Sequence, residues 1–269
     1  MMHGKDANDG ITVLVDRDVH QGEGFDPTHF GRLYELESRS FWFRGRSDLI
    51  NWALHRYFAD AHTFMEIGCG TGYVLSRLAA EFPHLTLSGS ELFAQGLRYA
   101  RQRLPRAIHL YQLDATDMQF VEAYDVMGAF DVLEHIQDDA AVLANLYRAL
   151  KPGGGLLISV PQHRWLWSGT DVAACHVRRY TRPQLLTALE TAGFSIVRAS
   201  SFLTLLLPAM FLSRLRHRND AKGEVELDLP RFINEPSYWA LSAESALIRL
   251  GLSLPFGGSL LVIARKPIP

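Results

Sequence analysis

The period of the apolar positions changes several times along this chain, and each change marks an element. Between Phe30 and Phe58 the residues Leu33, Leu36, Phe41, Phe43, Leu49, Ile50, Trp52 and Leu54 recur at helical spacing, which predicts two helices ahead of the first long strand. Beyond them, short apolar runs alternate with longer amphipathic stretches. Strands are predicted at 63–67, 85–90, 107–112, 124–130 and 154–160, with helices at 71–82, 93–103 and 137–150. The last of these helices carries Val142, Leu143, Leu146 and Leu150 on one stripe. A further helix is expected over 182–192, because Thr181 with Gln184 forms a capping box, Pro183 suits the first turn and Gly193 suits a left-handed stop. Two strands, 194–200 and 259–265, close the series. Such an alternation is the pattern of an α/β fold with helices on both faces of a parallel sheet.

Two segments stand outside that alternation. Residues 1–28 are rich in Gly, Asp and His and read as a flexible or variable N-terminus, with one short apolar run at Ile11–Val15 left unassigned. Residues 29–269 then form one domain, in which 202–257 is an insertion before the last strand. It opens with the apolar run Phe202–Leu212, turns basic at Arg214, Arg216 and Arg218, passes through a polar stretch, Asn219–Asp228, that reads as a mobile loop, and ends in an amphipathic helix over 237–250 that stops at Gly251.

Composition narrows the function classes. The chain has 269 residues, 48% hydrophobic and 21% charged, enough to bury a sizeable core. Lys plus Arg total 27 against 29 acids, so no overall field argues for a nucleic-acid partner. Two cysteines, Cys69 and Cys175, make no disulfide framework and suit a reducing cytoplasm. The polar N-terminus has no apolar core of a leader, and no run of eighteen apolar residues occurs, so no spanning helix is expected.

The candidate chemistry begins at Glu66-x-Gly68-x-Gly70-x-Gly72, where the first strand meets the first helix and glycines let a ligand approach the backbone. A dinucleotide fingerprint would need a third glycine where Tyr73 stands, so the spacing leans away from a nicotinamide cofactor. Glu91 follows the second strand, placed to accept the hydroxyl protons of a ribose, and Asp114-Ala115 follows the third. Further along stand Phe130-Asp131-Val132-Leu133-Glu134-His135-Ile136 and Leu150-Lys151-Pro152-Gly153-Gly154.

In this order and at these intervals, the series resembles the class I S-adenosylmethionine-dependent methyltransferases, especially the ubiquinone-biosynthesis O-methyltransferase type, over roughly residues 40–200. The resemblance implies a Rossmann-like seven-stranded mixed sheet with an antiparallel last strand, with S-adenosylmethionine across the carboxyl ends of the strands and a small-molecule acceptor above it. It implies that Arg46, with Arg44 as rival, meets the cofactor's carboxylate, since a guanidinium can bond both oxygens. Glu66, Gly68 and Gly70 would line its backbone, Glu91 its ribose, Asp114 and Ala115 its adenine, and Phe130 the sulfonium region. The two N-terminal helices would lie over it.

Transfer from a sulfonium mainly needs nucleophile and methyl held in line, so a general base is optional. If the acceptor is a hydroxyl, His135 and His176 are the candidate bases, and Tyr180 of the His176-x-x-x-Tyr180 loop is a candidate acceptor contact. Trp165 and Trp167 are candidates for the acceptor wall. Asp131, Glu134 and His135 occupy the places of a Glu-x-x-Glu-His metal motif that ubiquinone-type relatives can carry, but the first glutamate is an aspartate here, and no metal is expected. A nicotinamide-dependent oxidoreductase and a non-catalytic protein of the same fold are the competing readings. The apolar run at 202–212 with its basic end raises a lipid-linked acceptor or a peripheral membrane contact, against simple packing over the sheet.

Overall fold

The computed structural model describes residues 5–7, 10–15, 19, 24–216 and 228–269. The chain opens with two short strands, β1 (Lys5–Ala7) and β2 (Ile11–Val13), followed by helices α1 (Phe30–Leu36) and α2 (Phe41–Tyr57). The alternating core then runs β3 (Thr63–Ile67), α3 (Tyr73–Glu81), β4 (Thr86–Glu91), α4 (Ala94–Arg103), β5 (His109–Gln112), β6 (Tyr124–Phe130), α5 (Asp139–Ala149) and β7 (Leu150–Pro161). A short helix, α6 (Gly169–Ala173), precedes α7 (Arg182–Thr191) and β8 (Ser195–Phe202); α8 (Leu207–Arg216) and α9 (Arg231–Arg249) form the insertion, and β9 (Ser259–Arg265) closes the chain.

Among the described residues the sheet has nine strands in the order β1-β2-β5-β4-β3-β6-β7-β9-β8. Strands β2 through β7 pair in parallel, and β9 lies antiparallel between β7 and β8. The seven expected strands are all present. The unassigned run at Ile11–Val15 supplies an extra parallel strand, Ile11–Val13 pairing with Leu110–Gln112, and β1 pairs antiparallel with it to form the edge. Three residues carry too little periodicity to show this in sequence.

Strand order reverses between β3 and β6, so the loops after them diverge and leave a crevice at the carboxyl ends. The strands are buried on both faces, and successive side chains divide between two cores. Met65, Met127, Leu156 and Ile158 pack with α5 and α7 through Val142, Leu146, Leu185 and Leu189. Phe64, Val126, Leu157 and Ile263 face the other way, onto Ile50, Leu54, Leu75 and Leu97 of α2, α3 and α4.

Local signals hold at most element ends. Thr181 and Gln184 form the reciprocal capping box, and Gly193 takes φ +99°. Three expectations shift. Leu150, expected on the α5 stripe, is the first residue of β7, since its pairing with Tyr124 competes with the helix end. The last helix starts at Arg231 rather than 237, with Pro236 inside it. The carbonyl that Pro236 leaves unbonded belongs to Phe232, which is 77% exposed, so water can satisfy it. The apolar run 202–212 divides between the end of β8 and α8. Of the expected mobile loop, 219–227 lies outside the described residues, as do Arg218 and the side chain of Arg216.

The insertion is fastened to α2. Leu241 of α9 packs so tightly over Gly45 that a Cβ there would stand 2.3 Å from its Cδ2. Asn234 caps α2, its Oδ1 accepting from Phe41 N at 2.8 Å while its Nδ2 donates to Arg39 O at 2.8 Å. The helices α2, α8 and α9 therefore stand together above the crevice.

Candidate cofactor and acceptor site

A cavity of about 1080 Å³ opens at the carboxyl ends of the strands, large for a single-ligand pocket. Its floor is the loop after β3. Gly68 takes φ +66°, and a Cβ on it would lie 2.5 Å from Val132 Cγ2 in the loop after β6. The two loops on either side of the switch point therefore touch through a glycine, and only glycine fits. Gly70 N donates to Glu91 Oε2 at 3.1 Å and Phe93 N to Oε1 at 3.1 Å. Glu91 so braces the glycine loop while its carboxylate lines the cavity.

Arg46, on the α2 face turned inward, is buried and lines the cavity. Its Nη1 donates to Asp131 Oδ2 and reaches Phe130 O at 3.4 Å, and its guanidinium lies 4.3 Å over the Trp42 ring. Arg44 points outward and pairs with Glu235 at 3.0 Å. Of the two rivals Arg46 lines the cavity and Arg44 does not, and the partner that holds Arg46 is Asp131. Asp114 caps the turn after β5, its Oδ1 accepting from Thr116 N at 2.9 Å and Oγ1 at 2.6 Å, and it also lines the cavity together with Ala115 and Phe130.

Glu66 is 3% exposed, and its Oε2 has no hydrogen-bond partner. Burial pushes its carboxyl up to about 8, although Arg46 pulls the other way. Between about 4.5 and 8 the folded state therefore holds a proton that the unfolded state has lost, so this group's contribution to stability falls as pH rises through that window. Glu66→Gln removes the ionisation and keeps the shape. Scanning calorimetry without ligand should show the variant gaining in Tm over the parent between pH 6 and pH 9; a difference flat with pH would sink this account.

Further out, three groups converge from two loops. Ligand atoms of Glu134, His135 and His176 all lie within 4.8 Å of one another, and the two imidazole rings stand 4.7 Å apart. Glu134 is fully buried with both oxygens unpartnered, and burial, then the Asp131 charge, raises its carboxyl well above the ordinary range. His135 is pushed down to about 3 by burial and by His176, so it is neutral across physiological pH. The metal-type positions expected from sequence were Asp131, Glu134 and His135; Asp131 instead serves Arg46 and Ser159 Oγ, and His176 takes its place.

His176 Nδ1 lies 2.8 Å from Asp171 Oδ1. Asp171 is fully buried at the capping box of α6 and also receives Arg179 Nε at 2.6 Å and Arg214 Nη1 at 3.3 Å. Against burial, which would raise it, His176 and the two arginines hold Asp171 at about 2. Sequence reading missed this carboxylate, although Ser168-x-x-Asp171 carries a legible capping signal. Arg214, expected to form a basic surface end, is buried on it.

Tyr180 and the tryptophans are corrected. Tyr180 is absent from the cavity wall; it is buried, and its phenol donates to Asp139 Oδ2, which also pairs with Arg178 at 2.6 Å. It braces the loop. Tyr180→Phe should cost about 1–2 kcal/mol, a Tm loss of about 2–8 °C, with kcat nearly unchanged; calorimetry beside initial rates checks this, and a large kcat loss at unchanged Tm would reverse it. Trp165 and Trp167 are likewise off the wall, Trp165 being 55% exposed and set edge-on to Phe211 of α8.

Comparison with known proteins gives one decisive match: residues 39–199 fit the family described as a methyltransferase domain. The chain belongs to this family. A probable S-adenosylmethionine-dependent methyltransferase of Mycolicibacterium smegmatis is 29% identical over 164 residues, 60% of this chain and 62% of that protein. A trans-aconitate 2-methyltransferase of Azoarcus is 34% identical over 104 residues, 39% of this chain and 41% of that protein. The matched region thus spans less than two thirds of these relatives' length. Among solved structures, phosphoethanolamine N-methyltransferase 2 of Haemonchus contortus, in complex with S-adenosyl-L-methionine, superposes with a TM-score of 0.55 at 21% identity, covering 81% of this chain and 52% of that one. The Rossmann-like fold and S-adenosylmethionine as cofactor stand at this family level; the closer resemblance to the ubiquinone type rests on the sequence motifs alone. The methyltransferase domain's residues fit that cofactor: the glycine cradle at Gly68, the unpartnered buried oxygen of Glu66 and the carboxylate of Glu91 all face one cavity.

Proposed function

We propose that the protein transfers the methyl group of S-adenosylmethionine to a hydroxyl oxygen of a small, partly apolar molecule, with His176 as the base. Arg46, Glu66, Gly68, Gly70, Glu91, Asp114, Ala115 and Phe130 hold the cofactor. The observation that carries the oxygen reading is the Asp171–His176 pair at 2.8 Å. With Nδ1 engaged by a buried carboxylate, the tautomer is set and Nε2 is the nitrogen offered to an acceptor. The outer wall, with Leu203, Leu206, Met210 and Leu229, suits an apolar portion of that acceptor, and 202–257 serves as its lid. Incubation with methyl-labelled cofactor and a panel of hydroxyl, carboxyl and amine compounds, read by mass spectrometry, tests it. Label in hydroxyl compounds with apolar substituents is the expected result; label confined to amines overturns the oxygen reading, and no transfer across the panel overturns the enzyme.

The orphaned carboxylate of Glu134 favours a second reading of the same corner. Glu134, His135 and His176 would hold a divalent cation, with Asp171 behind His176 as the outer partner such ligands use. Bound there, a cation would acidify an acceptor hydroxyl. Native mass spectrometry of protein purified without chelator distinguishes the two: bound metal that disappears in His176→Ala favours the cation, and its absence favours the base.

A further inference from the structure

The two helices of the insertion turn apolar side chains to water. An amphipathic surface helix shows its polar residues to water, but every exposed side chain described on α8 is apolar: Pro208, Ala209, Phe211, Leu212 and Leu215. On α9 the outward stripe is Phe232, Pro236, Trp239, Ala243 and Ala246, continued by Leu250, while the buried face holds Asn234, Ser237, Glu244 and Ser245 beside Leu241 and Ile248. Phe232 is 77% and Trp239 68% exposed. The apolar surface extends across neighbouring loops: the exposed Trp165 lies edge-on to Phe211 at 5.7 Å, and His163 stacks between Trp165 and Phe256 at 5.2 and 6.2 Å. Ala209 and Ile233 are exposed and also line the cavity, so this face runs directly into the mouth of the acceptor site.

Among the described residues of α8 and α9, the exposed charges have one sign. The exposed charged residues described on the two helices are Arg231 and Arg249, at opposite ends of α9, and Arg164 adjoins Trp165. Glu235 is occupied by Arg44, and Glu244 is buried under Thr204 and Leu205, whose backbone N–H groups it accepts. No exposed acid meets these arginines from α8 or α9. A second copy of α9 laid against the stripe would set Arg231 beside Arg249 when antiparallel, or each beside itself when parallel, and both repel. Lipid phosphates would meet all of them. No helix among the described residues is long and apolar enough to cross a membrane, so the face lies on a bilayer rather than through it.

We infer that the outward faces of α8 and α9, with Trp165 and Phe256, dock this protein on an anionic lipid surface with the cavity mouth against the bilayer. An amphiphilic acceptor then enters the site without crossing water, an arrangement that rests on the methyl-transfer reading; the docking does not. Flotation of the full chain with phosphatidylcholine vesicles, with and without phosphatidylglycerol and in the absence of cofactor, tests docking alone. Binding is expected to the anionic vesicles and to weaken with salt. Phe211→Glu combined with Trp239→Glu should lower the bound fraction by at least about tenfold, each change removing an inserted ring, with circular dichroism and cofactor affinity unchanged. Should that pair fail to fold, Arg231→Glu with Arg249→Glu must weaken binding to the anionic vesicles, and the conservative Trp239→Phe must keep it while reducing quenching of tryptophan fluorescence by brominated lipid. Folded protein that stays with the pellet at every lipid composition overturns the inference. So does sedimentation as a dimer that the Phe211 and Trp239 changes dissociate, because the stripe is then covered by a second copy.

Discussion

Replacing His176 with alanine is expected to lower kcat by about 10²–10⁴-fold, the usual worth of a positioned general base, without weakening the cofactor. The ring sits at the outer end of the cavity, held by Asp171 Oδ1 at 2.8 Å and by its backbone N–H donating to Asp171 O at 2.9 Å, whereas the residues proposed to hold the cofactor lie on α2 and at the carboxyl ends of β3 to β6. Initial rates with a hydroxyl acceptor and calorimetric titration of the cofactor separate the two effects. Added imidazole should restore part of the rate in His176→Ala, which a bracing role would not allow. An unchanged kcat means that proximity to the sulfonium suffices and no base acts. Asp171→Asn makes a harsher test. It leaves one acceptor oxygen where His176, Arg179 and Arg214 shared two, and it strips the two buried arginines of their shared counter-charge, so roughly 3–5 kcal/mol of stability should go with the activity.

The second large effect belongs to Glu91. Its carboxylate accepts from Gly70 N and Phe93 N at 3.1 Å each and faces the cavity where the ribose hydroxyls would donate to it. A bond to a charged acceptor is worth about 1.5–3 kcal/mol. Glu91→Ala should therefore weaken the cofactor product, S-adenosylhomocysteine, by roughly 10–150-fold in titration calorimetry. Glu91→Gln should fall between, since its amide oxygen can still accept one of these bonds. A Kd that hardly moves in Glu91→Ala would reduce Glu91 to a brace for the glycine loop. Asp114 should show a smaller loss, because its Oδ1 already serves Thr116.

The central strands and helices were legible for a shared reason: each is decided by neighbours within one turn or one pleat. Thr181 and Gln184 cap α7 across three residues, and Tyr124–Phe130 forms β6 at the bounds its own run predicts. Most of the residues proposed to hold the cofactor were legible because they sit at fixed offsets from strand ends. Gly68 needs only to follow β3, and Glu91 only to end β4, for the parallel sheet to bring them to one edge.

The outer half of the site has no such rule. Asp131 meets Arg46 across 85 residues and Asp171 meets Arg214 across 43, contacts decided by how loops fold over the sheet. Tyr180 was placed among the acceptor contacts because it follows His176 by four residues, yet the loop turns it onto Asp139. The insertion shows the same division. Its apolar run at 202–212 read either as a membrane contact or as packing over the sheet, since an apolar pattern reports that a face is apolar and not which way it points.

By itself, then, the sequence determined the order of strands and helices, the glycine loop after β3 and the acids that follow β4 and β5, because all of these are set by local spacing. Only the tertiary structure decided that Arg46 rather than Arg44 turns inward, that Glu134, His135 and His176 form one cluster with Asp171 behind it, and that α8 and α9 present their apolar sides outward. Those outcomes depend on side chains from distant segments competing for the same space and the same buried charge, a competition that no stretch of sequence contains.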